Sequence, residues 1–207
     1  MPETSKQPDR NGLQHLQGFF EGKRNLVVLS GAGISAASGI PTYRDKAGNW
    51  TRSNPIQHQD FISKKSARQR YWLRSYSGWT AVASAAPSSS HHAIAELERQ
   101  KIVKLVVPQN VDRLHQYAGS RNVIDLHGRL DEVICMSCLR VTPRHALQTK
   151  LRLLNPSFSQ QGDIAPDGDA DVAEDSVVSV AVPPCENCGG ILKPNVVFFG
   201  DNVSKSI

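Results

Sequence analysis

"LVVLSGAGISAASGIPTYRD" runs from Leu26 to Asp45. With Asn25 in front, its apolar start reads as a strand buried on both faces, the texture of a parallel sheet. The turn Gly31-Ala32-Gly33-Ile34-Ser35-Ala36 then fits the relaxed G-x-G-x-x-[GA] pattern. Glycines at such a turn let the backbone approach a pyrophosphate. The start of a helix, over Ile34 to about Ser38, offers N–H donors. A glycine turn after a strand is common by itself, but its continuation here is unusual. Pro41 ends the helix, and no second strand delivers the ribose-binding acid that dehydrogenases place about twenty positions later. A polar loop runs instead to about His58, with Arg44 placed to meet a phosphate or close over a ligand.

Upstream, Leu13, Leu16, Phe19 and Phe20 have helical spacing, so residues 12–24 read as an amphipathic helix. Downstream, "SARQRYWLRSYSGW" reads as a helix with an aromatic side. "SSHHAIAELERQ" reads as another, capped near Ser89 or Ser90. "IVKLVV" is a second buried strand, and "VDRLHQYAG" a short helix ending at Gly119. "NVIDLHG" is a third strand with His127 at its C-terminal end, and "KPNVVFFGD" contains a fourth. There is no internal repeat. The alternation predicts an α/β fold, a Rossmann-like parallel sheet with helices on both faces. Residues 12–130 and 191–207 are assigned to that domain, and 131–190 to a small zinc-binding module inserted in it. The module carries an acidic, turn-rich insertion over 147–182.

The cysteines give that module its chemistry. All four fall in two CxxC pairs, Cys135/Cys138 and Cys185/Cys188. Two such pairs complete a tetrahedral Zn²⁺ site in which every position is a protein ligand, so the site is structural. The alternative is two unrelated pairs of buried or redox-active thiols. The N-terminus shows neither a signal peptide nor an Arg-rich transit peptide, which argues against disulfides.

Among 207 residues, 39% are hydrophobic and 21% charged, ordinary for a globular chain. No apolar run approaches a membrane span. The net charge of +5 comes from scattered basic residues, which reads as solvated surface before nucleic acid.

"PQNVDRLH" sits at the C-terminal end of the second strand, the edge where open α/β sheets bind ligands. Gln109, Asn110 and Asp112 there can hydrogen-bond a ribose and a carboxamide. Asn110 or Asp112 can equally cap the following helix. His127 at a strand end can act as a general base near neutral pH. His58, His91, His92 and His115 are alternatives, and a lone histidine is more often structural.

Taken together, "GAGISAASGIPTYRD", "QNVD", "LHG", the paired CxxC and "KPNVVFFGD" occur in the order found in sirtuins. The resemblance covers about Leu13 to Asp201. "RQRYW", "GW", "APDGD", "VVFFGD" and the long insertion resemble the mitochondrial class II branch, which implies a mitochondrial matrix address; the N-terminus shows no clear transit peptide, which leaves a cytoplasmic or nuclear one open. The resemblance implies NAD-dependent removal of acyl groups from protein lysines. The acyl oxygen attacks C1′ of the nicotinamide ribose, nicotinamide leaves, and O-acyl-ADP-ribose forms, with ADP-ribosyltransferase side activity. It implies NAD and Zn²⁺ as cofactors and acylated lysine peptides as partners.

His127 and Asn110 match catalytic positions. Gly31, Ala32, Gly33, Ser35, Gly39, Tyr43, Arg44, Gln109, Asn110, Asp112 and His127 match cofactor contacts. Val196, Val197 and Phe198 match the strand that takes the substrate backbone by β-augmentation. Tyr71 and Arg74 form the Y-x-x-R that holds an acidic acyl chain in desuccinylating members, through arginine's fork. The same pair fits an ordinary amphipathic helix with Tyr71 partly in the core.

Four positions depart from the family pattern. Thr42 and Asn195 stand where aspartate is usual, Pro108 where threonine is usual, and Ser88 where asparagine is usual. The family's sheet continues beyond "FFGD", so the chain resembles a fragment lacking C-terminal strands. That predicts an exposed apolar sheet edge, marginal stability and weak NAD affinity. It also keeps a second hypothesis open, a non-catalytic, zinc-stabilised binding module.

Overall fold

The structure, a computed structural model, describes residues 10–42, 47–49, 56–156 and 180–203. In chain order the elements are α1 (Arg10–Phe20), β1 (Leu26–Ser30), a 3₁₀ helix (Ala32–Ser38), α2 (His58–Ser63), α3 (Lys65–Ser84) and α4 (Ser89–Arg99). They continue with β2 (Val103–Pro108), α5 (Leu114–Tyr117), β3 (Gly128–Cys135), β4 (Val141–Pro143), α6 (Arg144–Leu154) and β5 (Leu192–Val196).

β1 and β2 pair in parallel, ending with Ser30 opposite Pro108. Residues 122–126 run beside β2. The Val106 N–H donates to the Asn122 carbonyl, and the N–H groups of Ile124 and Leu126 donate to the carbonyls of Val106 and Pro108. This third expected strand makes only an isolated bridge, Val106 to Val123. Its side chains turn early to local work: Asp125 pairs with Arg113 and accepts from Gln116. Three chain segments thus end side by side, at Ser30, Pro108 and Leu126.

β3 pairs antiparallel with both β4 and β5. The fourth expected strand therefore does not extend the parallel pair. β5 leaves the second cysteine pair while β3 enters the first, and bringing the two pairs together sets these strands side by side and opposed. The larger core lies here. Phe61, Tyr71, Trp72 and Tyr76 of α2 and α3 pack with Val133 of β3, Leu147 and Leu151 of α6, and Phe198. A second cluster, Ile40, Val82, Leu114 and Leu130, seals the base of the glycine turn.

Other expectations shift in detail. β1 is not buried on both faces: Val27 and Leu29 are 61% and 64% exposed. Leu13, Leu16 and Phe19 of α1 are exposed as well. The helix after the glycine turn is a seven-residue 3₁₀ helix closed by Gly39 in the left-handed region, φ 82°. Gly39 takes that conformation without the Cβ penalty of other residues. α4 is capped by Ser88, one residue before the expected serines. The first part of the acidic insertion is helical in α6, whose apolar stripe (Leu147, Leu151) anchors it in the core. Residues 157–179 of that insertion lie outside the described residues. Among the described residues, no helix is long and apolar enough to cross a membrane.

Candidate active site

The three adjoining segment ends carry most of the expected site. Ser35, fully buried in the 3₁₀ helix, donates to Asp112 Oδ2 at 2.7 Å. It accepts from Asn110 Nδ2 at 2.8 Å. Asp112 Oδ1 accepts the Leu114 N–H at 3.0 Å, so this carboxylate also caps α5. The expected capping role of Asp112 is thus seen, and its other oxygen is engaged by Ser35. Arg113, between them, adopts a left-handed backbone at φ 68° and is held there by its ion pair with Asp125. A non-glycine residue in that region is the kind of conformation that surrounding contacts must over-determine. Sequence reasoning missed Arg113, since nothing local marks a non-glycine left-handed position.

Gln109 extends the β1–β2 ladder by donating its N–H to the Ser30 carbonyl at 2.8 Å. Its side-chain amide faces Gly31, 3.8 Å from where a Cβ would stand. Its carbonyl lies 2.9 Å from His127 Nδ1. A carbonyl can only accept, so Nδ1 carries the proton and Nε2 keeps the lone pair. In the neutral ring Nε2 is therefore the atom left with a free lone pair. Ala32, Gly33 and Gly39 lie on the same turn, and Tyr43 and Arg44 lie outside the described residues.

Beneath this floor sit two buried imidazoles, His91 and His115, with ring centroids 4.8 Å apart. His115 Nε2 lies 2.8 Å from the Ser30 hydroxyl. Burial pushes His115 down to about 4, helped by His91 and opposed by the Asp112 charge. His91 is pushed down by burial in the same way, against the pull of Asp112. Both rings are neutral at pH 7. The unfolded chain takes up protons near the ordinary histidine value of about 6.5, above the folded one. The stabilising effect is therefore complete above that value and is lost as pH falls toward about 4. Melting temperature is expected to fall across this window more steeply for the parent chain than for His115→Gln; parallel curves would contradict it.

The expected substrate strand is anchored on both sides. The Val197 N–H donates to the His127 carbonyl at 2.8 Å, which ties this segment to the expected base. Val196 pairs with Gly128, and Phe198 turns into the core against Phe61 and Tyr71. Buried Lys193 donates to the Val196 carbonyl at 2.6 Å and to Asp201 at 2.8 Å, and Asp201 meets His58 at 3.1 Å. No sequence motif marks this clamp. Tyr71 is 3% exposed, with its ring 5.2 Å from Phe198. Arg74 is half-buried on the same helix.

Gly128 has φ 80°, and a Cβ there would fall inside the contact radius of the Asn195 carbonyl oxygen. Gly128→Ala is expected to cost about 2–4 kcal/mol through strain and overpacking. It should also displace His127. A lowered denaturant midpoint checks the first effect, and an unchanged midpoint would contradict it.

The four cysteine sulfurs all lie within 4.8 Å of one another. Cys135 and Cys188 are 3.5 Å apart, Cys138 and Cys185 3.8 Å. Tetrahedral ligation at a Zn–S distance of ~2.3 Å sets sulfurs ~3.8 Å apart, so the donor set fits Zn²⁺. None of the four is in a disulfide. The Arg140 N–H, then Asn187 and Cys188, hold the Cys138 thiol down to about 6, whereas, against the Gly190 N–H, the Cys135 and Cys138 sulfurs push the Cys188 thiol up to about 12, so the metal-free thiols share protons among themselves and the fit to Zn²⁺ rests on the sulfur distances. Gly190 packs against this cluster, where a Cβ would stand 2.9 Å from the Cys135 sulfur.

The departures from the family pattern have local roles. Asn195 donates to Glu132 at 2.9 Å, and the Pro108 carbonyl accepts from Leu126.

Comparison with known proteins agrees with this geometry. Residues 31–207 match the model of the Sir2 family. An NAD-dependent protein deacetylase of Bordetella bronchiseptica is 52% identical over 194 residues, 93% of this chain and 71% of that protein. One from Xanthomonas axonopodis pv. citri is 51% identical over 92% of this chain and 66% of that protein. The NAD-dependent protein deacylase Sirt4 of Drosophila melanogaster is 45% identical over 93% of this chain and 63% of that protein. The solved structure described as "Sir2-p53 peptide-NAD+" superposes with a TM-score of 0.67 at 27% identity, over 94% of this chain and 67% of that one. The chain therefore spans about two thirds of the length of the proteins it resembles.

Proposed function

The chain belongs to the Sir2 family, and from that premise we propose that it removes acyl groups from protein lysines with cleavage of NAD. The observation that carries this reading is that Ser35, Asn110 and Asp112 bond one another next to Gln109, whose carbonyl holds the His127 ring from the adjoining segment end. NAD, as co-substrate, supplies the ribose carbon that receives the acyl oxygen and the nicotinamide that leaves. Asp112 as acceptor and Asn110 as donor orient the carboxamide and ribose. His127 Nε2 takes a proton from a ribose hydroxyl, whose oxygen bonds the acyl carbon; the acyl–nitrogen bond to lysine breaks with uptake of one water, and free lysine and O-acyl-ADP-ribose are the products. An extended acyl-lysine peptide lies along 196–198, with Tyr71 and Arg74 toward its acyl group. The four cysteines hold a structural Zn²⁺, since a closed ligand set leaves no position for substrate.

Support comes from the names of the bacterial and Drosophila relatives and from neighbours bound to acetylated and propionylated peptides. Class II branch membership and a mitochondrial address belong to the same proposal; a tagged chain found in the matrix agrees with them, and one found in the cytosol does not. A second reading, a zinc-stabilised binding module without turnover, is favoured by the exposed Val27, Leu29 and Phe19. Mass spectrometry of acetyl, propionyl and glutaryl peptides incubated with NAD separates the two. Loss of the acyl mass with O-acyl-ADP-ribose in equal amount supports the deacylase. ADP-ribose found on protein marks the transferase side activity. Unchanged peptides beside a folded chain favour the binding module.

A further inference from the structure

Ser88 lies between α4 and the 3₁₀ helix that carries Ser35, and it is 7% exposed. As N-cap of α4 it closes a capping box with His91: its N–H donates to His91 Nδ1 at 3.1 Å, and its side chain accepts from the His91 backbone. Its hydroxyl lies 3.1 Å from the Ile34 carbonyl and 2.8 Å from His91 Nδ1. A carbonyl can only accept, and the Nδ1 lone pair already receives the Ser88 N–H. The hydroxyl's single proton is thus directed at Ile34, one residue before Ser35.

The Ser35 turn needs an outside anchor. Short 3₁₀ helices have poor hydrogen-bond geometry, and Gly31 at the start of this one makes no side-chain cap bond. We propose that Ser88 is a positioning residue for this turn: by donating to the Ile34 carbonyl, it fixes the height at which Ser35 meets Asn110 and Asp112. Its consequence for NAD rests on the deacylase reading; the anchoring itself does not. An amide, like a hydroxyl, accepts at a cap and donates onward, whereas an ionised carboxylate caps but cannot donate.

Ser88→Asn and Ser88→Asp form a near-isosteric pair that both cap helices well. Hydrogen exchange of the 32–38 amides in the full chain, without NAD, reads the anchor directly. Ser88→Asn is expected to match the parent. Ser88→Asp should speed exchange there about five- to tenfold, the worth of one hydrogen bond, with α4 amides unchanged. Ser88→Ala, donor-less and uncharged, should loosen the same amides, which removes the charge as an explanation. Equal exchange in the Asp and Asn chains overturns the proposal, and so does Ala at the parent rate over 32–38 or, in the Asp chain, acceleration spread equally over α4; the Ala chain also loses the α4 cap, so only its 32–38 amides are compared. A parallel NAD titration should show weakened binding for Asp alone of the isosteric pair. Failure of the parent chain to bind NAD counts against the deacylase reading, while the exchange comparison still decides the role of Ser88.

Discussion

His127→Ala is expected to lower peptide-dependent nicotinamide release by about 10²–10⁴-fold, the usual range for removing a positioned general base. The ring is half-buried, and its Nδ1 bonds the Gln109 carbonyl. Losing that bond should cost the fold about 1 kcal/mol. The neighbouring groups stay in place without the ring, because Val197 bonds the His127 main chain and Gln109 bonds Ser30. NAD affinity should therefore change far less than turnover. Equal losses in both would mean that the imidazole only shapes the pocket. Retained turnover would move the base elsewhere, and the buried His91 and His115 are poor substitutes because burial opposes their protonation.

The second large effect is expected at the cysteines. Zinc binding in small modules contributes about 10–16 kcal/mol, as much as or more than the ~5–15 kcal/mol of net stability a whole domain has. Cys135→Ser removes a buried sulfur of the four-cysteine cluster at the end of β3. β3 supplies Val133 to the main core, which also includes Tyr71, Trp72 and Phe198. Damage should therefore spread from the metal module into α3 and the expected substrate strand. Zinc content should fall to a small fraction of one per chain, with the melting transition lost or broadened. A chelator should do the same to the parent chain. A metal-free chain with an unchanged melt would show the four sulfurs to be a dispensable cluster.

The parts of the site that lie in consecutive residues are legible in the sequence. The glycine turn, the Gln109–Asp112 run, His127 and the CxxC pairs are each visible in a few letters, and the structure brings the turn, the run and His127 to adjoining segment ends and the four cysteines together. The parts that are not legible depend on partners far away in the chain. The Lys193–Asp201–His58 clamp spans more than a hundred residues, and the His91–His115 pair joins two helices. Ser88 could have been found from its spacing. Ser-x-x-His places a ring nitrogen where a capping box usually places Glu or Gln, but three serines in a row hide which one caps. The apolar texture of Leu26–Leu29 predicts burial on both faces, yet apolarity records what a strand can bury, and Val27 and Leu29 stay exposed. The antiparallel partner of β5 is equally hidden, because the strand's own residues do not say which neighbour the cysteines will draw beside it.

The most direct measurement is nicotinamide release from NAD by the purified, zinc-loaded chain, with and without an acetyl-lysine peptide, in the parent and in His127→Ala. Release that requires both the peptide and the imidazole is the expected result, and it would establish the site at the ends of β1 and β2 as a working NAD-cleaving centre. No release from the folded parent chain, or release indifferent to His127, would contradict it.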